Sequence, residues 1–253
     1  MDACRLGQRR WMPWVGTAMV SMALIATAML APVRAVEPET WQFSLGLGLG
    51  AVPDYEGSKD YTALPLFFAR VDWHELFLEL EGTTLRANLI PHPVLRAGPV
   101  FQVRLERDDV ENDAVDALRD IDTAFEIGGF VGVEIGIWYA MLDIVQDVAD
   151  AHQGVVVALA TGAFLPLSPQ LLIEVGVSST YASNDYMHAY FSIDADNSAR
   201  SGLNTFNADA SFKDVGINFT AIYALSARWS VVGTAEYLRL LGDAADSPIV
   251  DAE

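Results

Sequence analysis

The 253 residues contain a single cysteine, Cys4, and it precedes the first apolar stretch instead of following it. In that position it cannot serve as a lipobox cysteine. With no second thiol, disulfides, CxxC redox chemistry and cysteine-ligated metals are excluded. Basic residues are scarce as well, 15 against 34 acidic ones, for a net charge of −19. A nucleic-acid partner needs a basic footprint, and binding to anionic lipid by charge needs a polybasic patch. Both are ruled out. After residue 35 no run of about 18 uninterrupted apolar residues occurs, so no transmembrane helix is expected there. HExxH, a nucleophile elbow and the DxDxDG spacing of a calcium loop are also missing.

The first 35 residues read as an export address. Arg5, Arg9 and Arg10 form a positive start, residues 12–31 are mostly apolar, and Val33-Arg34-Ala35 suits signal peptidase. Cleavage is expected between Ala35 and Val36, leaving a mature domain of residues 36–253. Residues 1–35 hold four basic residues and one acidic residue, so the remainder carries 11 positive and 33 negative charges, a net of −22.

This acidic chain is nevertheless 52% hydrophobic, with a mean hydropathy of +0.25. A membrane barrel reconciles the two, because alternate residues face lipid while the others face the lumen. Alternation is what the chain shows. Trp41, Phe43, Leu45, Leu47 and Leu49 interleave with Gln42, Ser44, Gly46 and Gly48. Val215, Ile217, Phe219, Ala221 and Tyr223 interleave with Gly216, Asn218 and Thr220. A period of two marks a strand with one apolar and one polar side. The glycines at this period fit a thin or curved lumen wall and not a phosphate loop.

Eleven strands are expected, near residues 41–52, 61–70, 73–80, 84–90, 97–107, 122–134, 138–148, 154–165, 170–181, 214–225 and 229–241. Short connections alternate with long polar ones, apart from a short link at 81–83, as tight periplasmic turns alternate with outer loops. Trp41, Trp229, Tyr223 and Tyr237 fall where girdle aromatics belong, and Glu106, Glu126, Glu134, Glu174 and Glu236 beside Arg104 point to an acidic interior. Bacterial barrels of this type have even strand numbers. The expectation is therefore an all-β, antiparallel transmembrane barrel of about 12 strands, with one closing strand missing after Asp246-Ser247-Pro248-Ile249-Val250-Asp251-Ala252-Glu253.

Short motifs run in order along this frame: Pro53-Asp54-Tyr55-Glu56-Gly57-Ser58, Leu64-Pro65, Gly98-Pro99, Arg107-Asp108, Glu126-Ile127-Gly128-Gly129, His152-Gln153-Gly154, Tyr190-Phe191, Ser201-Gly202-Leu203 and Gly242-Asp243-Ala244-Ala245-Asp246-Ser247-Pro248-Ile249-Val250. In this order they resemble the MipA/OmpV family of MltA-interacting outer-membrane proteins. The resemblance implies residence in the outer membrane among lipid and lipopolysaccharide, and insertion by the barrel-assembly machinery. It also implies a non-enzymatic scaffold role, bringing a lytic transglycosylase together with a murein-synthesising penicillin-binding protein. A passive channel or an adhesin is the alternative.

Candidate chemistry outside those motifs is thin. His152 lies near Asp147 and Asp150, and His188 near Ser183 and Asp185, the pieces of a Ser-His-Asp site without its assembly. Asp108, Asp109, Glu111, Asp113 and Asp116 form one acidic connection and Asp185, Asp194 and Asp196 another. They could ligate Ca²⁺ or Mg²⁺ against lipopolysaccharide phosphates, but solvated, flexible loops are the expectation. No enzyme, cofactor or resident metal is expected.

Overall fold

The computed structural model describes residues 23–30 and 41–251. The basic start of the leader and the Ala35/Val36 cleavage site lie outside the described residues. In chain order the strands are β1 (Ala23–Leu30), β2 (Gln42–Pro53), β3 (Tyr61–Trp73), β4 (Leu76–Glu81), β5 (Thr84–Asn88) and β6 (Leu95–Arg104). After helix α1 (Asp113–Asp116) come β7 (Ala124–Ile135), β8 (Trp138–Asp147), β9 (Val155–Pro166) and β10 (Leu171–Ala182). Helices α2 (Asn184–Phe191) and α3 (Ala195–Ser201) precede β11 (Ser211–Ala224) and β12 (Trp229–Leu240). The chain ends with α4 (Gly242–Ala245) and α5 (Pro248–Asp251).

Each of the eleven expected strands is present. They pair with their sequence neighbours, all antiparallel, from β2 round to β12. The expected gap is filled from an unexpected direction. β1, from within the leader's apolar stretch, pairs with β12 on one side and β2 on the other and closes a twelve-stranded barrel. It runs antiparallel to both neighbours, as a strand entering after β12 would.

Inside and outside follow the alternation. Phe43, Leu45, Leu47 and Leu49 of β2 are each more than half exposed, and Ile217, Phe219 and Tyr223 of β11 stand outward too. In water such a surface would aggregate; facing hydrocarbon it is what holds the barrel in place. The tryptophans at 41, 73, 138 and 229 are all exposed and all lie at the end that carries the short turns, with Trp41 and Trp73 stacked at 5.8 Å. Trp and Tyr prefer the membrane–water interface, which marks this end as a girdle. By the turn-length rule it is the periplasmic end.

The lumen is filled. Toward the periplasmic end Phe77, Phe130, Tyr139, Met141 and Phe164 form an apolar plug, with Tyr139 and Phe164 at 5.0 Å. Among and just above these residues sit paired charges. Arg70 bonds Glu79 at 2.7 Å and Asp72 at 2.8 Å, and Arg86 meets Asp143 at 3.1 Å. Tyr139 donates to Glu174 at 2.7 Å. Buried charges persist only when partnered, which these are. The acidic interior is confirmed for Glu126, Glu134, Glu174 and Glu236, all buried, but not for Glu106. β6 ends at Arg104, so Glu106 lies beyond the wall, exposed and bonded by Thr123 at 3.0 Å.

Candidate functional site

The long connections expected to be flexible and solvated fold into a cap over the outer mouth. Asn112 caps α1 by accepting from Ala114 N at 3.0 Å and Val115 N at 3.2 Å. Asp194 caps α3 by accepting from Asn197 N at 2.7 Å. In α2, Tyr186, Met187, Tyr190 and Phe191 are buried, placing one helical face in the barrel mouth. A second apolar cluster, Tyr55, Val110, Val115, Leu118, Ile193 and Ile249, ties three connections and the C-terminal segment together.

Most of the motif residues, distant in sequence, meet in this cap. Gly57 adopts φ +101, and a Cβ there would lie 2.6 Å from Val250, so the C-terminal segment seats directly on the first outer loop. Ser58 Oγ accepts from Asp60 N at 3.0 Å, and Tyr55 and Pro53 lead into the same loop. Ser247 Oγ donates to the Phe191 carbonyl at 2.7 Å, and Asp243 accepts from Asp209 N at 2.8 Å. Gly242, Asp246 and Pro248 frame α4 and α5 on either side of these contacts. Ser201 closes α3 with Gly202 in the left-handed conformation at φ +77. A Cβ at Gly154 would strike the backbone of Tyr186 at 2.6 Å. Gly98, Pro99 and Gly129 lie apart from the cap, in the wall between β6 and β7.

At the base of the cap is a buried ionic network. Arg104 forms two bonds to Glu126, each 3.2 Å, and its guanidinium lies 5.1 Å from the Tyr186 ring. Tyr186 and Tyr190 stack at 4.4 Å, with His152 5.0 Å from the former and 5.7 Å from the latter. Tyr186 donates to Glu56 at 2.7 Å, and Lys213 bridges Glu56 at 3.1 Å and Asp214 at 2.7 Å. Burial alone would raise the Glu56 pKa, but the Lys213 and Arg104 charges outweigh it and hold the carboxyl below its ordinary value. Burial pushes the Tyr186 and Tyr190 hydroxyls up, so both stay protonated. Burial also lowers the Arg107 pKa. Its guanidinium is held by the Tyr190 and Arg119 carbonyls at 3.2 Å each.

This arrangement is a latch and not a nucleophilic site. His152 Nδ1 accepts from Gly154 N at 3.0 Å, which leaves the proton on Nε2 for Glu126 at 3.0 Å. Both ring nitrogens are occupied. Asp147 is spent on the backbone N–H groups of Ala149, His152 and Gln153. Ser183 Oγ accepts from Val155 N at 2.9 Å, and no hydrogen bond joins His188 to Ser183 or Asp185 among the described residues. The acidic connections form no group of three or more ligands among the described residues.

At the opposite end the longest fully described periplasmic turn, residues 89–94, is braced from below. Asn88 Nδ2 donates to the carbonyls of Glu75 at 2.5 Å and Ile90 at 3.1 Å. His92 Nδ1 accepts from Leu95 N at 3.0 Å, and Arg96 reaches the His92 carbonyl and, at 3.1 Å, Glu75. Leu89, Pro91, His92 and Pro93 are left exposed on this rigid support.

An antiparallel closed barrel with an apolar outside, a tryptophan girdle and a folded outer cap defines an integral outer-membrane β-barrel protein. The family model described as "MltA-interacting protein MipA" matches residues 45–253, and the chain belongs to that family. It is 30% identical over 113 residues to the MltA-interacting protein of Escherichia coli K12, an alignment covering 45% of each chain. To outer membrane protein OmpV of Vibrio cholerae it is 31% identical over 88 residues, 32% of this chain and 34% of that one. The matched stretches thus span less than half the length of these relatives. Among solved structures, OprD of Pseudomonas aeruginosa overlaps 87% of this chain and 62% of its own, at 10% identity and a TM-score of 0.28. That overlap is too weak to build on. Family and relatives place the protein in the outer membrane.

Proposed function

We propose that the protein is a non-enzymatic scaffold of the outer membrane. It holds the lytic transglycosylase MltA, and with it a murein-synthesising penicillin-binding protein, against the periplasmic face. The observation that carries this reading is the braced turn at residues 89–94. It presents Leu89, 61% exposed, with Pro91, His92 and Pro93 on the side where murein enzymes work. A pre-ordered apolar patch loses little entropy on binding. The names of the relatives support the partner, and the packed lumen disfavours a channel. Glu79, Arg86, Glu126, Glu174, Lys213 and Thr220 all face inward, yet none is more than 2% exposed. A water-filled pore would wet them.

The test is retention of purified MltA on the detergent-refolded barrel. Wild type should bind, and Leu89→Glu should weaken binding tenfold or more, about 1.4 kcal/mol, without altering the barrel's heat-modifiable gel shift. No binding by wild type would end the scaffold reading. Stable ion-conducting steps in planar bilayers would favour the channel instead.

A further inference from the structure

The barrel wall has a notch. β4 pairs with β3 from Trp73↔Leu76 up to Phe68↔Glu81 and then turns at residues 82–83, while β3 continues to Tyr61. Above that hairpin, residues 61–66 of β3 pair with β2 alone among the described residues. Their free edge runs roughly 20 Å at 3.3 Å per residue. On the far side β5 holds β6 by three register pairs, against ten between β6 and β7. The pairs with β5 lie at the top of the hairpin and β6 rises only to Arg104, so the gap beside β3 above the hairpin has no described strand opposite it beyond that residue. The gap is roofed by the connection after β6, where Glu111 N donates to Asp54 at 2.9 Å.

The chemistry of the edge can be read from the ladder. The Phe67 carbonyl accepts the last hairpin bond, from Gly82 N at 2.8 Å. By the period of two, the backbone groups of Pro65, Ala63 and Tyr61 point to the same side. Pro65 has no N–H to lose, which is why proline is tolerated at this edge. Ala63 and Tyr61 present free donors and acceptors at a depth where the outward Leu49, Tyr61 and Phe67 mark lipid contact.

The lumen side of the notch differs from the rest of the interior. The inward residues of upper β2 and upper β3 are Gly48, Gly50, Val52, Thr62, Leu64 and Leu66, apolar apart from Thr62. The inward faces of β4 to β8 and of β10 to β12 carry charges, whereas β9 presents Val156, Ala158 and Ala160 behind a wall paired on both sides. Leu64 and Leu66 are partly exposed, whereas Phe130, facing inward behind an unbroken wall, is buried. Thus an apolar sector of the upper lumen lies beside the free edge of β3, continuous with the lipid-facing belt.

We propose that this notch is a lateral docking groove for the acyl chain of an outer-leaflet lipid. The chain lies against Leu64 and Leu66, and its ester or amide carbonyl meets the free N–H groups of Ala63 and Tyr61. A second copy of the barrel cannot satisfy this edge. In one membrane both copies share an orientation, and strands tilted about 35–45° would cross at nearly twice that angle, too steep for a ladder.

The experiment places photoreactive benzoylphenylalanine singly at Leu64, Leu66, Phe67 and Phe130. The full chain is folded into phosphatidylethanolamine–phosphatidylglycerol vesicles carrying a trace of alkyne-tailed phosphatidylethanolamine. Adducts are counted only in the folded, heat-modifiable band, so a variant that fails to fold contributes no signal, and Leu64 and Leu66 serve as independent reporters. Lipid adducts at Leu64 or Leu66 approaching those at outward Phe67, and well above Phe130, are expected. Adducts at both no greater than at Phe130, or crosslinks there to protein instead of lipid, would overturn the proposal.

Discussion

Removing the Lys213 charge should open the cap and leave the barrel standing. Its ammonium is fully buried and makes two close ionic contacts, to Glu56 at 3.1 Å and Asp214 at 2.7 Å. Lys213→Met keeps the stem's packing but strands two carboxylates. Breaking a buried pair by deleting one partner costs about 3–5 kcal/mol. Glu56 keeps the Tyr186 hydroxyl at 2.7 Å and Arg104 at 3.7 Å, so the lower end, about 3 kcal/mol, applies. That corresponds to roughly a hundredfold rise in the open population of the cap. The barrel ladder does not pass through these contacts, so the loss is local. Trypsin cleavage after Arg200, in α3, reads it, because proteolysis follows the open fraction when closing is fast. Cleavage should accelerate by about two orders of magnitude while the heat-modifiable shift of uncleaved protein stays unchanged. Adding Glu56→Gln should restore part of the protection by removing one stranded charge. An unchanged cleavage rate in Lys213→Met would refute the latch, and collapse of the whole barrel would show that cap and wall are one cooperative unit.

Refolded protein in planar bilayers should show no stable ion-conducting steps. Lys213→Met should remain silent too, since the Phe77–Phe130 and Tyr139–Phe164 plug lies below the cap; steady openings in either would contradict the packed lumen. Phe219→Arg, on the lipid face of β11, should cost about 2–4 kcal/mol in bilayer folding titrations, whereas Leu225→Arg at the periplasmic turn should cost about 0–1 kcal/mol. Equal costs would reverse the assigned depth. Because the folded-state pKa of Glu56 lies below its ordinary 4.5, its contribution is present at neutral pH and is lost as pH falls below 4.5 and through the lower folded-state value. Hydrogen exchange of α2, corrected for intrinsic rate, should rise on acidification in wild type and rise much less in Glu56→Gln.

The wall was legible because a lipid-facing strand advertises itself by alternation over ten or more residues. Even the short β4–β5 hairpin could be read, since Leu76–Glu81 still alternates. The cap was not. Tyr186, Met187, Tyr190 and Phe191 have helical spacing, but α2 is eight residues long, below the length at which that period separates from a loop. Lys213 escaped for a different reason. The register shifts between Thr180 and Tyr181 opposite it, and the irregularity turns both Lys213 and Asp214 inward, which strict alternation forbids. The motif residues were legible as an ordered series, while their convergence at one mouth of the barrel is a property of the closed topology that spacing cannot display.

The closing strand gives the sharpest remaining expectation. β1 makes six register pairs with β12 and five with β2, and no other described strand touches those two edges. Its sequence, ALIATAML, belongs to the apolar stretch of the leader, and the expected cleavage site at Ala35 falls between it and β2. We propose that processing at that site removes the strand, so that residues 36–253 alone carry two open edges within hydrocarbon. Each orphaned backbone group there costs several kcal/mol, and about half the groups along each edge would lose their partners. Refolded into detergent, residues 36–253 should aggregate or lose the gel shift between boiled and unboiled samples, while residues 1–253 should retain it. Appending a strand of about 9–11 alternating residues with a terminal aromatic after residue 253 should restore the shift to the processed form. It would enter the slot in the direction β1 now runs. A full and stable shift from residues 36–253 unaided would mean that β2 and β12 can close directly on each other, and that the barrel does not need a twelfth strand.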